Sequence, residues 1–534
     1  MRSIEIPQPE EKSSAYRFFE ILPGVLTWLI LTAPVWLSLI SPKLAAYFIM
    51  SFLLLWFSRA IGINIRSYQG WRTMNEHKKI NWPSLNHDLE ILAPLSHDAP
   101  RWHEQNIKRV SAHILPPKRI KPSDVYHAVI ICFWNESYEV LEPTVKSVVD
   151  ANYDSKKMIL ILAYEQRGGP EVQATAETLI KKYGKHFYQA GTVMHPWPMI
   201  GEVIGKGGNA TFAARHLQKF LARKNIDPLD VLVTTLDADN RPDKEYFGAL
   251  TYTYCSTEEP LYASYQPIPM FLNNIWDAPA PMRVIATGNS LWNLVLSLRP
   301  HLLRNFSSHA QPMAALIDTD FWSTRTIVED GHQFWRTWFR YDGRHDVYPI
   351  YVPIYQDAVL TDKYIKTLKA QFIQVRRWAW GASDIAYVAY QGFLKKNKIP
   401  KWKVMSKFFR LLEGHLSWST APLILLLSAL IPFFLYNAAS GQVGYLANQL
   451  PQLASRLQTV AMVGILTSLF ISMKSLPPKP ERYKRRRSFW MLVQWVYLPL
   501  TSIIYSSCAA IYAQTRLMFG WYLGFIVTEK AVKK

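Results

Sequence analysis

Several short groups of residues in this chain have types and spacings that could do chemistry. Asp237, Ala238 and Asp239 close the apolar run VLVTTL. Two carboxylates at a strand end can offer hard oxygen ligands to a divalent cation, and such a cation can neutralise a diphosphate. The same spacing recurs at Asp318, Thr319 and Asp320 behind the apolar MAALI. Spacing alone leaves the two pairs equal, and either also fits an exposed turn that caps a helix. Glu329 and Asp330 precede the aromatic run GHQFWRTWF. They suit acid–base work, or equally the electrostatically favoured start of a helix. In QVRRW, Gln374 and Arg377 share a helix face, and Trp378 can add a flat surface for a sugar ring. Arg and Trp are also ordinary residents of a helix that meets a membrane.

These groups need elements to hold them. From about Val125 to Val233, short apolar runs (Ala128 to Phe133, Met158 to Ala163, Val231 to Leu236, and more weakly Gly191 to Met194) alternate with helix-like stretches. That alternation predicts a parallel sheet covered by crossover helices, with ligands collecting beyond the carboxyl ends of the strands. Asn135 and Glu136 fall at the first such end and Glu165 just after the second, while Lys206 sits in a glycine-rich GKGGN segment that lacks Walker spacing.

The chain is long enough to bury a large core, at 534 residues and 49% hydrophobic, and its net charge of +20 calls for an anionic partner or surface. Cys132, Cys255 and Cys508 show neither disulfide nor zinc spacing. The polar, acidic start does not read as a signal peptide.

Uncharged stretches at Ile21 to Pro42 and from Leu44 predict a transmembrane hairpin over residues 21–66, behind a cytoplasmic segment 1–20. Further stretches (Gly414 to Ser455 with its apolar core at Ala421 to Leu435, Leu457 to Met473, Ser488 to Thr515) predict three or four helices within 420–515, giving five or six crossings in all. Between them lie a linker at 67–124, a catalytic domain at 125–390 and interfacial helices at 391–419; residues 516–534 form a tail. Basic residues flank both sets of spans on the side of the middle domain, which places that domain in the cytoplasm. The loop from Lys474 to Arg487, with seven basic residues against Glu481, adjoins apolar helices, so it reads as a topology or lipid signal and not a nucleic-acid patch.

The motifs NE (Asn135, Glu136), GKGGN, DAD, VED and QVRRWAWG follow one another in order, with interfacial and spanning segments after them. This order resembles the membrane-integrated family 2 glycosyltransferases, the group of cellulose and hyaluronan synthases, over about Tyr126 to Ala382. The resemblance implies an α/β GT-A (Rossmann-like) domain between amino- and carboxy-terminal transmembrane helices. It also implies an inverting transfer from a UDP- or GDP-sugar, with Mg2+ or Mn2+ as cofactor. It favours Asp237 and Asp239 over Asp318 and Asp320 as the metal pair, and makes Asp330 the general base with Glu329 beside it.

Arg377, Lys206 and Asp237 are then expected on the donor diphosphate, Asn135, Glu136 and Glu165 on its nucleoside side, and Gln374 and Trp378 at the acceptor. Where such enzymes commonly show an aspartate for the base, this chain reads ILAYEQRGG, with Glu165 as substitute; the acceptor motif has only a loose counterpart at Thr287 to Asn293. The acceptor is a glycan, elongated as in polysaccharide synthesis, or a lipid or lipid phosphate given one sugar. A non-catalytic membrane transporter or scaffold is the contrasting class, and partner subunits for export are a further expectation.

Overall fold

A computed structural model describes residues 4–112, 119–432, 434–435, 445–484 and 486–527. Its centre is an eight-stranded sheet of order β3-β2-β1-β4-β7-β6-β8-β5. The strands are β1 (Tyr126–Phe133), β2 (Met158–Glu165), β3 (Gln189–His195), β4 (Val231–Asp237), β5 (Arg241–Pro242), β6 (Ala263–Met270), β7 (Ala310–Pro312) and β8 (Asp346–Tyr355). The half β3-β2-β1-β4 is parallel, as the alternating pattern predicts. β7 then runs antiparallel to both β4 and β6, and β6 and β8 pair in parallel.

The continuous apolar runs of β1 and β2 are buried on both faces, as central parallel strands require, whereas β3 at the edge stays largely exposed. The chain therefore has the α/β, Rossmann-like architecture expected of it, with long apolar helices at both ends.

Helices α1 (Ser14–Ile40) and α2 (Pro42–His77) form the amino-terminal hairpin, each longer than its uncharged core. The described residues of 67–124 are mostly helical. Beyond the end of α2, α3 (Trp82–Ile91) and α4 (Arg101–Ala112) pack through Trp82 and Ile107 into the main core. His103, fully buried, joins them to the sheet-covering helices by bonding Asp88 at 3.1 Å and the Tyr252 hydroxyl at 2.7 Å.

The crossover helices are α5 (Tyr138–Val149), α6 (Pro170–Tyr183) and α7 (Lys206–Lys224). Next come α8 (Tyr246–Ser256), α9 (Ala280–Ser297), α10 (Met313–Asp318), α11 (Glu329–Arg340), α12 (Tyr364–Ala379), α13 (Ser383–Ala389) and α14 (Lys401–Leu427). Among the described residues, four helices are long and apolar enough to cross a membrane: Ser14–Ile40, Pro42–His77, Gln449–Ser475 and Arg486–Met518. The expected span around Ala421 to Leu435 begins inside α14, and residues 436–444 that would continue its stretch lie outside the described residues. The two ends of the chain meet where Thr27 bonds Ser419 at 2.8 Å and Gln514 at 2.6 Å. The basic loop is only partly free for lipid: Arg482 grips Asp277 at 2.7 and 2.8 Å, and Arg487 donates to the Trp276 carbonyl at 2.5 Å.

The first described residues are tied to α11, to the segment just before it and to α13. Tyr387 donates to the Ile4 carbonyl at 2.6 Å, Arg325 donates to that of Ile6 at 3.1 Å, and the Glu5 carboxylate takes both Ser323 and Arg336. Burial alone would raise the Glu5 carboxyl, but Arg336 and the Ser323 hydroxyl offset this and hold it below the usual range. Arg336 is 1% exposed, so Glu5→Ala strands a buried cation. The expected loss of stability is about 3 kcal/mol, read as a lower midpoint in thermal unfolding at pH 7. Because the carboxyl is depressed, the difference from wild type should shrink as pH falls through its titration.

Candidate active site

The GKGGN segment reaches the site because α7 starts earlier than its apolar pattern, at Lys206. Gly207 is needed there: a Cβ would lie 2.3 Å from the Ser323 carbonyl and 3.2 Å from the Glu329 side chain. This close approach sets Lys206 between two carboxylates, with Nζ 2.8 Å from Asp237 Oδ1 and 3.8 Å from Asp330 Oδ1. The nearer contact is an ion pair by distance but lacks the angle of a hydrogen bond. Burial opposes the charge on Lys206, yet Asp237 and Asp330 outweigh it and raise the ammonium above the usual lysine range. Lys206 is a fixed cation.

Asp237 ends β4, and its Oδ2 accepts from Ser307 at 2.7 Å. Asp239 is buried; its Oδ2 accepts from the Asp357 amide at 3.2 Å, and its carbonyl accepts from Asn273 at 2.8 Å. Thr144 of α5 caps the turn between them by donating to the Ala238 carbonyl at 2.7 Å. The loops after β4, before β7 and after β8 thus converge, as the strand-end rule predicts.

Glu329 and Asp330 open α11. Asp330 is 21% exposed, with His309 Nδ1 3.6 Å from its Oδ1. Burial outweighs Asp330's pull and keeps His309 below the ordinary histidine range. Glu329 is buried, and its Oε2 has no hydrogen-bond partner among the described residues. Burial and the neighbouring Asp330 push its carboxyl up to about 7, against the opposing pull of Lys206 and Arg377. A raised carboxyl binds more protons folded than unfolded, so its contribution to stability falls as pH rises from the ordinary glutamate range through about 7. Glu329→Gln is therefore expected to raise the unfolding temperature at pH 8 and leave it nearly unchanged at pH 5. Equal shifts at both pH values would remove Glu329 as the titrating group.

Arg377 comes from α12, with Gln374 and Trp378 on the neighbouring turn. Its guanidinium lies over the Phe525 ring at 4.8 Å, and Phe525 also comes within 3.9 Å of a Gly205 Cβ. Trp378 packs near Phe271, ring centroids 6.2 Å apart, and the side-chain oxygen Oε1 of Gln374 accepts from Gln371 Nε2 at 3.3 Å.

The structure thus draws Lys206, Asp237, Glu329, Asp330 and Arg377 into electrostatic reach of one another. Asp239 stands two residues along from Asp237 in the same turn, and Gln374 and Trp378 flank Arg377. Asn135, Glu136 and Glu165 form a separate group at the ends of β1 and β2. Glu136 folds back to accept from the amides of Trp134 at 2.8 Å and Asn135 at 3.2 Å. Glu165 pairs with Arg167, whose guanidinium covers Trp134 at 4.3 Å.

The rival pair is engaged elsewhere. Asp318 accepts from the Tyr341 hydroxyl at 3.0 Å, and Asp320, 77% exposed, pairs with Arg215 at 3.0 Å. Thr287 to Asn293 is an interior stretch of α9, where Ser290 and Asn293 bond the chain around β6. The sequence reading missed Trp134, Arg167, Ser307, His309 and Phe525. Trp134 and Arg167 have a local signal, beside Asn135 and Glu165.

No protein-family model and no curated protein matches the chain. Among solved structures, the mannosyltransferase PcManGT from Pyrobaculum calidifontis, in complex with GDP-Man and Mn2+, aligns over 77% of this chain and 99% of its own, at 13% identity and a TM-score of 0.38. S. aureus TarS 1-349 in complex with UDP-GlcNAc aligns over 74% of this chain and 93% of its own, at 11% identity and a TM-score of 0.35. Likeness this loose leaves function to be argued from the site.

Proposed function

We propose that the chain is an inverting, GT-A type glycosyltransferase. It moves a sugar from a UDP- or GDP-sugar to a glycan acceptor at the cytoplasmic face of a cell membrane, in the manner of a polysaccharide synthase. The observation that carries this reading is the placement of Lys206 between Asp237 and Asp330, with Glu329 and Arg377 alongside. A transporter or scaffold has no use for so costly a set of half-buried charges.

The donor set fits a divalent metal shared with substrate. Asp237 and Asp239 supply carboxylates at one strand end, and no group of three or more His, Cys, Asp or Glu among the described residues forms a complete protein cage. That suits Mg2+ or Mn2+ completed by phosphate oxygens and water. When bound, such an ion neutralises charge on the diphosphate.

The residues of this chain then divide the work. The acceptor hydroxyl oxygen attacks the anomeric carbon, its proton passes to Asp330, and the bond from that carbon to the diphosphate oxygen breaks. Lys206 and Arg377 meet the charge that gathers on the leaving diphosphate, where fixed cations need no reorganisation. Glu329 shapes the pocket beside the base, and Gln374 and Trp378 guide the acceptor. The nucleoside lies toward Asn135, Glu136 and Glu165, with Trp134 and Arg167 offering flat surfaces to its base.

The loose fit of Thr287 to Asn293 to an acceptor motif, and its place inside α9, support a second reading. In it the acceptor is a lipid or lipid phosphate that takes a single sugar.

The deciding experiment incubates detergent-purified protein with a panel of UDP- and GDP-sugars and Mg2+ or Mn2+, and measures nucleotide diphosphate release and labelled product. Polymer growth supports the first reading and an extractable glycolipid the second. No metal-dependent turnover with any donor, from protein shown to be folded, would falsify both.

A further inference from the structure

A second concentration of charge lies away from the candidate active site, where α2, α14 and the segment 299–304 meet. The uncharged stretch of α2 ends at Ser58, and Arg59 follows it, pairing with Glu413 of α14 at 2.7 Å. One turn on, the guanidinium tips of Arg66 and Arg299 both come within 4.0 Å of the point a Gly62 Cβ would occupy, at 2.8 and 4.0 Å. On the other side, Arg304 and Lys407 both lie over the Phe334 ring, at 4.2 and 5.1 Å, and Arg410 stands one turn further along α14.

Like charges do not collect without cause. Among the described residues no carboxylate pairs with Arg66, Arg299, Arg304, Lys407 or Arg410, and Asp346 is the acid facing Arg304 and Lys407. Burial and these neighbours press Lys407 down to about 8, and burial with Arg410, Arg299 and Lys407 lowers His301. Two observations set the cluster at a membrane surface. Trp402, Met405 and Phe409 leave an exposed apolar stripe along α14, 67%, 47% and 56% exposed, on a different face of the helix from Lys407. Farther along, α14 joins α1 through Ser419 and Thr27.

We infer that the basic surface formed by Arg66, Arg299, Arg304, Lys407 and Arg410 is a binding site for the phosphate of an anionic phospholipid, in the leaflet that faces the catalytic domain. Clustered guanidinium groups match phosphate oxygens in charge and hydrogen-bonding capacity, and the apolar stripe of α14 sets the helix at the depth where a headgroup meets them. The site stands independently of the glycosyltransferase reading.

The test uses the full chain, purified in detergent and mixed with phosphatidylglycerol, phosphatidylcholine or inorganic phosphate, with bound lipid counted by native mass spectrometry and stability followed by thermal unfolding. Phosphatidylglycerol is expected to be retained and to raise the unfolding temperature by several degrees, with phosphatidylcholine and millimolar phosphate having little effect. R299Q/R410Q should lower retention roughly tenfold or more, and R299K/R410K should keep most of it. Should the double glutamine variant fail to fold, R410Q alone, at an exposed position, should still lower retention severalfold. Equal retention of the two lipids overturns the proposal, as does unchanged retention in R410Q. A shift reproduced by inorganic phosphate alone also overturns it, in favour of a free-phosphate site. An equal loss in K479Q/K484Q, on the separate basic loop, overturns it in favour of general charge attraction.

Discussion

Asp330→Asn is expected to lower sugar transfer about 10³- to 10⁴-fold while leaving donor affinity within a few fold, because it removes the proton acceptor and keeps the side chain's volume. The check is single-turnover product formation beside a donor-binding titration. Asp330 is suited to the role because it is only partly exposed and its neighbours are Lys206 and His309, neither of which can replace a carboxylate as base. Lys206 stays charged, and His309 is fully buried and already bonded to the Phe306 carbonyl and Trp322. Glu329 is the adjacent carboxyl whose raised titration suits a substitute base, so Glu329→Gln/Asp330→Asn should abolish residual turnover that depends on pH near 7. If Asp330→Asn turns over at the wild-type rate, the base lies elsewhere and the assignment of α11 fails.

What could be read from the sequence follows from how local each signal is. The parallel half of the sheet is legible because β1, β2 and β4 are short, mostly apolar runs with polar residues at or just beyond their ends, and even the weak run at Gly191 to Met194 falls in β3. The far half is not. β7 has three residues and β5 two, too short to carry a period, and they pair with strands remote in sequence.

At the candidate site, Asp237, Glu329, Asp330 and Arg377 are legible as candidates because each stands in a short group whose residue types already suggest a charge-handling task. Ser307 and His309 belong to no such group. They matter because β7 lays residues 306–309 between Asp237 and Asp330, a placement fixed by sheet topology. Phe525 lay hidden for the same reason, since nothing near it in sequence indicates that it meets Arg377. The choice between the two Asp-x-Asp pairs was undecided by spacing, and the geometry separates them through partners: Arg215 and Tyr341 for one, Lys206 and the loop after β8 for the other.

That separation leads to the second large effect. Asp239→Ala should weaken metal-dependent binding of the nucleotide sugar by about a hundredfold and leave its metal-free binding unchanged, since the carboxylate would act through the cation it helps to hold. Asp237→Ala should differ in kind. Asp237 already neutralises Lys206, so its loss frees that ammonium for the diphosphate and returns part of the affinity lost with the metal ligand. The expected order of donor affinity in saturating Mn2+ is therefore wild type, then Asp237→Ala, then Asp239→Ala. Without metal, Asp237→Ala should bind the donor more tightly than wild type. Asp320→Ala serves as the control, because its carboxylate is exposed and pairs with Arg215 on the surface. Isothermal titration with and without Mn2+ gives both affinities of all four proteins. If Asp320→Ala loses metal-dependent binding and Asp239→Ala keeps it, the cation belongs to the other aspartate pair.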